Sequence, residues 1–318
     1  MDVSIWMWVG FNAFVLAMLA LDLGVFHRKA HEVSIREATA WSVVWVTLAM
    51  VFNGWIWYAW GKGPALEFLT GYLIEKSLSI DNIFVFVMLF GYFAVPREYH
   101  HRVLFWGILG ALLMRGVFIG VGAYVLEQFH WVLYIFGAIL IVTGIKMMMR
   151  QESHSPEKNP VLRWMRRVLP LSDRYHGQKF WVNQGAKWVA TPLFLVLVMV
   201  ELTDLVFAID SIPAIFAVTK EPFIVFTCNV FAILGLRSMY FLLAGVVHRF
   251  VYLKYGLAAV LLFVGAKMMV IDLYKVPTAL SLVVVLTTIT ASIVASLVKT
   301  RSPIGAERTS RPGPPRPL

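Results

Sequence analysis

Long apolar runs dominate the chain, and polar residues gather in the stretches between them. A helix needs roughly 20 mostly apolar residues to cross the hydrocarbon core. Nine runs approach or exceed that length: 5–26, 38–60, 66–94, 102–126, 130–149, 189–218, 222–247, 253–273 and 277–298. None shows the short alternating segments of a β-barrel strand. The pattern predicts an all-α polytopic membrane protein of about nine transmembrane helices. A single transmembrane domain then covers 1–298, with a polar linker at 150–188 and a separate tail at 299–318. The first run lacks a basic leader region and a small-residue cleavage site, so it reads as a retained helix.

Composition agrees with this pattern. Of 318 residues 59% are hydrophobic and only 14% charged, with a mean hydropathy of +0.74. Soluble domains carry about 25% charged residues. The formal charge of +10 would invite a nucleic-acid partner if the basic residues were spread over one surface, but they fall in alternate loops. Arg28, Lys29 and Arg36 follow the first run, Arg97 and Arg102 the third, and the long linker carries a further group from Arg150 to Lys187. Arg249 and Lys254 precede the eighth run, and the tail is basic again. The intervening loops are short and nearly neutral. The positive-inside rule then puts the N-terminus outside and the C-terminus in the cytoplasm. The lipid bilayer is the partner this implies; nucleic acid is not, and protein partners leave no signal. In the linker, "VLRWMRRVLP" reads either as a short amphipathic helix, whose Trp164, Arg163, Arg166 and Arg167 suit an anionic membrane surface, or as a solvated loop. The Pro-rich basic tail reads as disordered.

An internal repeat lies beneath the spans. Runs three to five can be laid over runs six to eight. Glu75 is matched with Glu201 and, after a three-residue gap, "IDNI" at 80–83 with "IDSI" at 209–212. "LLMRGVF" at 112–118 matches "ILGLRSMYF" around Arg237, and "TGIKMMM" at 143–149 matches "VGAKMMV" at 264–270. The two copies, about 66–149 and 189–273, begin on opposite sides of the membrane. The expected architecture is a 3+3 inverted repeat, in which secondary transporters hold substrate near the midplane.

Charges inside the spans point to the same place. A carboxylate at a helix centre costs roughly 2.5–3.5 kcal/mol on insertion scales. Glu75, Asp81, Glu201, Asp204 and Asp210 must therefore face inward and find partners, and Arg115 and Arg237 are the mid-span candidates. Structural ion pairing would account for part of the set. Five acids outnumber two arginines, so the remainder is protonated, solvated or neutralised by a bound cation. At about 100° per residue Glu201 and Asp204 share a face, whereas Asp210 lies opposite. Glu75 and Asp81 are likewise off one face. Pro213 would kink or open the helix beside Asp210 and free a carbonyl as a ligand. In the first copy, Ser77, Ser79 and Asn82 would have to support such an opening. Alternatively, the off-face acid of each copy pairs with an arginine. Sequence leaves both options open.

The span interiors offer carboxylates with Ser79, Asn82, Thr203 and Ser211, and neither histidine nor a thiolate cluster. Such oxygen donors favour hard divalent ions, Mn²⁺, Mg²⁺ or Ca²⁺. Asp22, toward the cytoplasmic end of the first run, reads equally as an interfacial residue or as a further acid on the path. The adjacent methionines at 147–149 and 268–269 point different ways on a helix and read as packing. Lys146 and Lys267 read as snorkelling side chains, and the lone Cys228 as small apolar filler. No GxxxxGK[ST], HExxH or GxSxG pattern occurs, so neither a nucleotide-driven pump nor an enzyme is expected.

"GYLIEKSLSIDNIFVF" at 71–86 and "ELTDLVFAIDSIPAIFAVT" at 201–219 resemble the signatures of the TerC/Alx family of integral membrane proteins, with the bacterial Alx branch nearest. "FAILGLRSMYFLLAG" and "LKYGLAAVLLFVGAKMM" resemble the same family, and the likeness runs over about 5–298. The resemblance implies manganese efflux across the bacterial inner membrane, a historical link to tellurium resistance, and a metal path through Glu75, Asp81, Glu201, Asp204 and Asp210. Mn²⁺ would then be cargo, with Ca²⁺ or Mg²⁺ as alternatives, and no resident cofactor. Proton antiport or the membrane potential would drive it. The competing expectation is a membrane assembly or scaffold protein in which the charges only lock helices.

Overall fold

The computed structural model describes residues 3–21, 34–149, 160–184, 187–246, 249–274 and 276–301. Asp22 and the chain beyond Arg301 lie outside the described residues. The elements run α1 (Ile5–Leu21), α2 (Ile35–Trp60), α3 (Lys62–Tyr92), α4 (Arg97–Gln128), α5 (Val132–Met149), α6 (Pro160–Val168), β1 (Trp181–Gln184), β2 (Lys187–Ala190), α7 (Pro192–Phe216), α8 (Pro222–Leu234), α9 (Leu236–Leu243), α10 (Leu253–Met269) and α11 (Thr278–Arg301). The chain is an all-α membrane protein apart from one linker hairpin, which periodicity did not anticipate. Six helices among the described residues are long and apolar enough to cross a membrane: α2, α4, α5, α7, the α8–α9 pair and α11. α1 and α10 have 17 residues each. α3 is longer, at 31 residues, but is interrupted by Glu67, Glu75, Lys76 and Asp81.

Local chemistry sets the helix ends. Ser34 caps α2 by accepting from the Glu37 N–H at 3.2 Å, which supplies one of the unpaired donors of a first turn. Pro192 and Pro222 open α7 and α8, where a missing N–H costs nothing. Gly61 reverses the chain between α2 and α3 at φ +85°, a conformation strained for any residue with a Cβ. α11 continues to Arg301, so Lys299 and Thr300 belong to its last turn rather than to a disordered tail. The Lys299 ammonium lies 4.8 Å from the Tyr252 ring centroid and Thr300 Oγ1 donates to the Ser296 carbonyl at 2.9 Å.

Packing ranks the helices. In α8–α9, 89% of the apolar window is buried, against 17% in α2 and α11, so α8–α9 is central and the other two are peripheral. α3 packs on α8, α4 on α7, and α5 along α10. The α5–α10 crossing depends on glycine. A Cβ on Gly265 would sit 2.8 Å from the Gly137 carbonyl oxygen, and one on Gly144 would sit 3.0 Å from the Ala258 carbonyl oxygen. Three apolar clusters follow. An aromatic one joins α1, α2 and α8 through Phe11, Phe52, Phe223 and Phe231. A second joins α3, α4 and α7 with α6, and a third surrounds the α5–α10 seam.

The linker is partly built into the body. α6 forms as the amphipathic reading required, but its apolar Leu162 and Met165 are buried in the protein core, while Trp164 is exposed. The Tyr175 hydroxyl donates to the Phe93 carbonyl at 2.7 Å, tying the linker to the end of α3. Burial pushes the Tyr175 phenol up to about 12 from its ordinary 10.0.

Two expectations follow. Gly265→Val should destabilise by roughly 1–3 kcal/mol, because backbone on the facing helix cannot yield. Gly54→Ala, which meets nothing within 4 Å, should be neutral or stabilising by up to about 1 kcal/mol; thermal unfolding in detergent reads both. The folded state holds the Tyr175 proton more tightly than the unfolded chain does. Its contribution to linker docking is therefore complete below pH 10.0 and fades as pH rises toward about 12. Hydrogen exchange at 170–180 should report this loosening, and Tyr175→Phe should remove its pH dependence.

Candidate functional site

Arg115, on α4, is 2% exposed at the centre of the molecule. Two carboxylates hold it. Nη1 donates to Glu75 Oε2 at 2.9 Å. Nη2 and Nε donate to the two oxygens of Asp204 at 2.9 and 3.1 Å, a bidentate grip. Nη1 also reaches Ser211 Oγ at 3.3 Å and Asn229 Oδ1 at 3.4 Å. All five side chains are buried, so α3, α4, α7 and α8 are joined through one guanidinium. Its planar fork suits two carboxylates at once, which a lysine could not match. Two acids on one arginine leave a negative charge over, and Glu75 Oε1 has no hydrogen-bond partner.

That oxygen belongs to a residue lining a cavity of about 280 Å³ between α3, α5, α7 and α10. Asp81, Asn82, Asp210, Ser211, Thr143 and Lys146 line it with Glu75 and Arg115. Asp210 Oδ1 accepts from Thr143 Oγ1 at 2.8 Å, and Asn82 Oδ1 is a second buried oxygen without a partner. Among the described residues no group of three or more His, Cys, Asp or Glu side chains is placed to hold a metal ion. The cavity is therefore an acidic chamber rather than a closed ligand cage.

The structure divides the predicted residues. Glu75, Asp81, Asp210, Asn82 and Ser211 come together at the cavity. Asp204 stands behind Arg115. Glu201 lies elsewhere, with its carboxylate against Gly110 of α4. Ser79 and Thr203 donate to the carbonyls one turn back, at 2.8 and 2.7 Å. Arg237 does not join the acids just described; its Nη1 donates to His101 Nε2 at 2.9 Å. Lys146 is exposed and also lines the cavity with Asp210. Lys267 donates to Ser281 Oγ at 3.1 Å.

Pro213 does not open α7. It sits in the last turn, where the Ala217 N–H already bonds the Pro213 carbonyl at 3.0 Å, so the bond missing at Ile209 needs no unwinding. In α3, Ser77 and Ser79 likewise bond back within an unbroken helix. The off-face acids are therefore not drawn to the on-face ones. Glu75 and Asp204 take the arginine, while Asp81 and Asp210, each six residues further on, face the cavity.

Three polar residues were not singled out from the sequence. Thr143 and Asn229 are single polar positions within apolar helices, which was the available signal. Lys76 stands beside Glu75, and its ammonium reaches the Ala232 carbonyl at 3.4 Å, where the helix ladder is interrupted at Gly235 between α8 and α9. A Cβ on Gly235 would lie 2.4 Å from Lys76 Nζ.

An apolar helical body built around buried charges places the chain among integral membrane proteins. Residues 60–303 match the model of the integral membrane protein TerC family, and the chain belongs to that family. It is 55% identical over 296 residues, 93% of each chain, to an uncharacterized membrane protein of Myxococcus xanthus. It is 51% identical over 289 residues, 88% of this chain and 90% of the relative, to the Escherichia coli (strain K12) protein named "Putative membrane-bound redox modulator Alx". An uncharacterized membrane protein of Rickettsia bellii is 40% identical over 293 residues. No solved structure matches.

Arg115→Met should destabilise the protein by about 3–5 kcal/mol, since it leaves Glu75 and Asp204 buried without their cation. Adding Glu75→Gln and Asp204→Asn should recover most of that loss. Thermal unfolding of the three proteins checks it, and equal loss in the triple variant would show that the cage is not the cause.

Proposed function

We propose that the chain is a divalent-cation exporter of the bacterial inner membrane, with Mn²⁺ as cargo, and that the cavity beside Arg115 is its binding chamber. The carrying observation is the donor set. The carboxylates of Glu75, Asp81 and Asp210 line one cavity with Asn82 and Ser211, and two of its buried oxygens, Glu75 Oε1 and Asn82 Oδ1, have no hydrogen-bond partner. The ligands in this reading are Glu75, Asp81 and Asp210, helped by Asn82 and Ser211. Glu201 and Asp204 leave the ligand set. Oxygen donors suit Mn²⁺, Mg²⁺ or Ca²⁺; Mn²⁺ and the outward direction come from the family resemblance.

Nine crossings, an external N-terminus and a 3+3 inverted repeat belong to the same proposal. The packing supports the repeat. Exchanging α3 with α7, α4 with α8–α9 and α5 with α10 turns the α3–α8 contact into the α4–α7 contact. It also turns the approach of Gly144 to Ala258 into that of Gly265 to Gly137. The ungapped register then fits better than the gapped one: Glu75 answers Asp204 at the arginine, and Asp81 answers Asp210 in the cavity. A redox effect, the role in the printed name of the Alx relatives, would follow from altering the level of a redox-active cation; the one thiol, Cys228, is buried.

A second reading, a scaffold locked by structural ion pairs, is favoured by the completeness of the Arg115 cage. The two part at Asp81 and Asp210. For an exporter, Asp81→Asn and Asp210→Asn should fold normally and reduce Mn²⁺ flux in proteoliposomes about tenfold or more, the equivalent of one charge-assisted contact. Unchanged flux in both variants, or none with the wild type, would rule out the binding chamber.

A further inference from the structure

We propose that Glu201 carries the proton of the exchange, so that cation ligation and proton binding occupy opposite sides of the Arg115 cage. The inference rests on the exporter reading above and assigns its coupling to a residue outside the cavity.

Of the five acids singled out from the sequence, Glu201 alone neither lines the cavity nor grips Arg115. Its Oε2 is buried with no hydrogen-bond partner. The carboxylate has a seat of its own at Gly110 on α4, and Gly107, one turn before, admits the neighbouring Val200. A Cβ on Gly110 would lie 2.0 Å from Glu201 Oε1 and 2.6 Å from Oε2, and one on Gly107 would lie 3.0 Å from Val200. Any side chain at 110 would displace the acid.

The charged surroundings are few. Asp204 faces Glu201 from its own helix. On α4, Arg115 is turned to Asp204 and Glu75, His101 is bound to Arg237, and Arg102 lies over the Phe180 ring at 5.3 Å. α3 carries Glu75 on Arg115, Asp81 in the cavity, Lys76 on the Ala232 carbonyl, and Glu67 about two turns before Glu75. α5 presents Lys146 to the cavity, α10 turns Lys267 to Ser281, and α6 presents Leu162 and Met165 to the core. Among the described residues, Glu201 has a buried unpartnered oxygen, a glycine against its carboxylate and an acid one turn along its own helix, a setting in which a proton can stand in for a counter-charge.

The cage supplies the coupling. A cation in the cavity engages Glu75 through its unpartnered Oε1 and competes with Arg115 for that carboxylate. The guanidinium is then balanced by Asp204 alone, and the positive potential at Glu201, one helical turn from Asp204, rises. The O–H bond of Glu201 breaks and its proton passes to water on the cytoplasmic side. After the cation leaves outward, the cage closes on Glu75 again and Glu201 takes a proton from the outer side. Each cycle moves one cation out and one proton in at this residue.

The test uses the full-length protein and Mn²⁺ as the probe. In detergent, protons released per bound Mn²⁺ are counted in weak buffer for wild type, Glu201→Gln and Gly110→Ala. In proteoliposomes, Mn²⁺ accumulation is followed with and without a pH gradient. Glu201→Gln should bind Mn²⁺ and pass it downhill, release fewer protons, and lose the gradient-driven accumulation. In the wild type that accumulation should reach roughly tenfold per pH unit and coupled proton. Gly110→Ala should move the pH of half-release downward by unseating the acid. Gradient-driven accumulation retained in Glu201→Gln overturns the proposal, as does an unshifted Gly110→Ala profile. Loss of Mn²⁺ binding in folded Glu201→Gln also overturns it, by making the residue a ligand. A wild type that neither binds nor moves Mn²⁺ overturns the exporter reading itself, and this inference with it.

Discussion

One buried guanidinium governs the centre of this molecule. A charge deep in a bilayer is tolerable only when it is paired and its hydrogen bonds are filled. Arg115 meets that condition by drawing Glu75 from α3, Asp204 and Ser211 from α7, and Asn229 from α8. Side chains from four helices must therefore arrive at one point. Gly107 and Gly110 let α4 approach Val200 and Glu201 on α7, and Gly137 and Gly265 bring α5 and α10 together.

The same constraint decides what is left over. Two carboxylates satisfy one arginine and exceed it by one charge, and the excess falls on the cavity side, where Glu75 Oε1 is unfilled. Asp81 and Asp210 stand six residues beyond the acids that hold the arginine. At 100° per residue they leave the arginine's face, and the cavity receives them. A structural lock and an acidic chamber are thus two faces of one arrangement. Glu201 belongs to neither, and its carboxylate packs separately against Gly110 on α4.

Much of this was legible in the chain. Apolar run length gave the helices, and the cost of burying charge marked the acids and Arg115 as inward-facing. Helical spacing alone separated Asp210 from Glu201 and Asp204. Other expectations failed for physical reasons. Pro213 was expected to open α7, but a proline in a final turn interrupts a ladder that is already ending. Glu75 was laid over Glu201 by residue type, while the residues that share an arginine are Glu75 and Asp204. The linker's basic stretch was read either as a surface helix or as a solvated loop; the helix forms, with Leu162 and Met165 buried and Trp164 exposed.

The sequence by itself determined which segments are helices, which residues are too costly to face lipid, and which acids on one helix share a face. Those properties depend on transfer free energy and a fixed helical repeat, both local to the chain. Only the tertiary structure decided which acid meets the arginine, which meets the cavity and which meets neither. Those outcomes depend on how α3, α4, α5 and α7 are rotated and offset against one another, set by contacts between residues as far apart in sequence as Arg115 and Asn229.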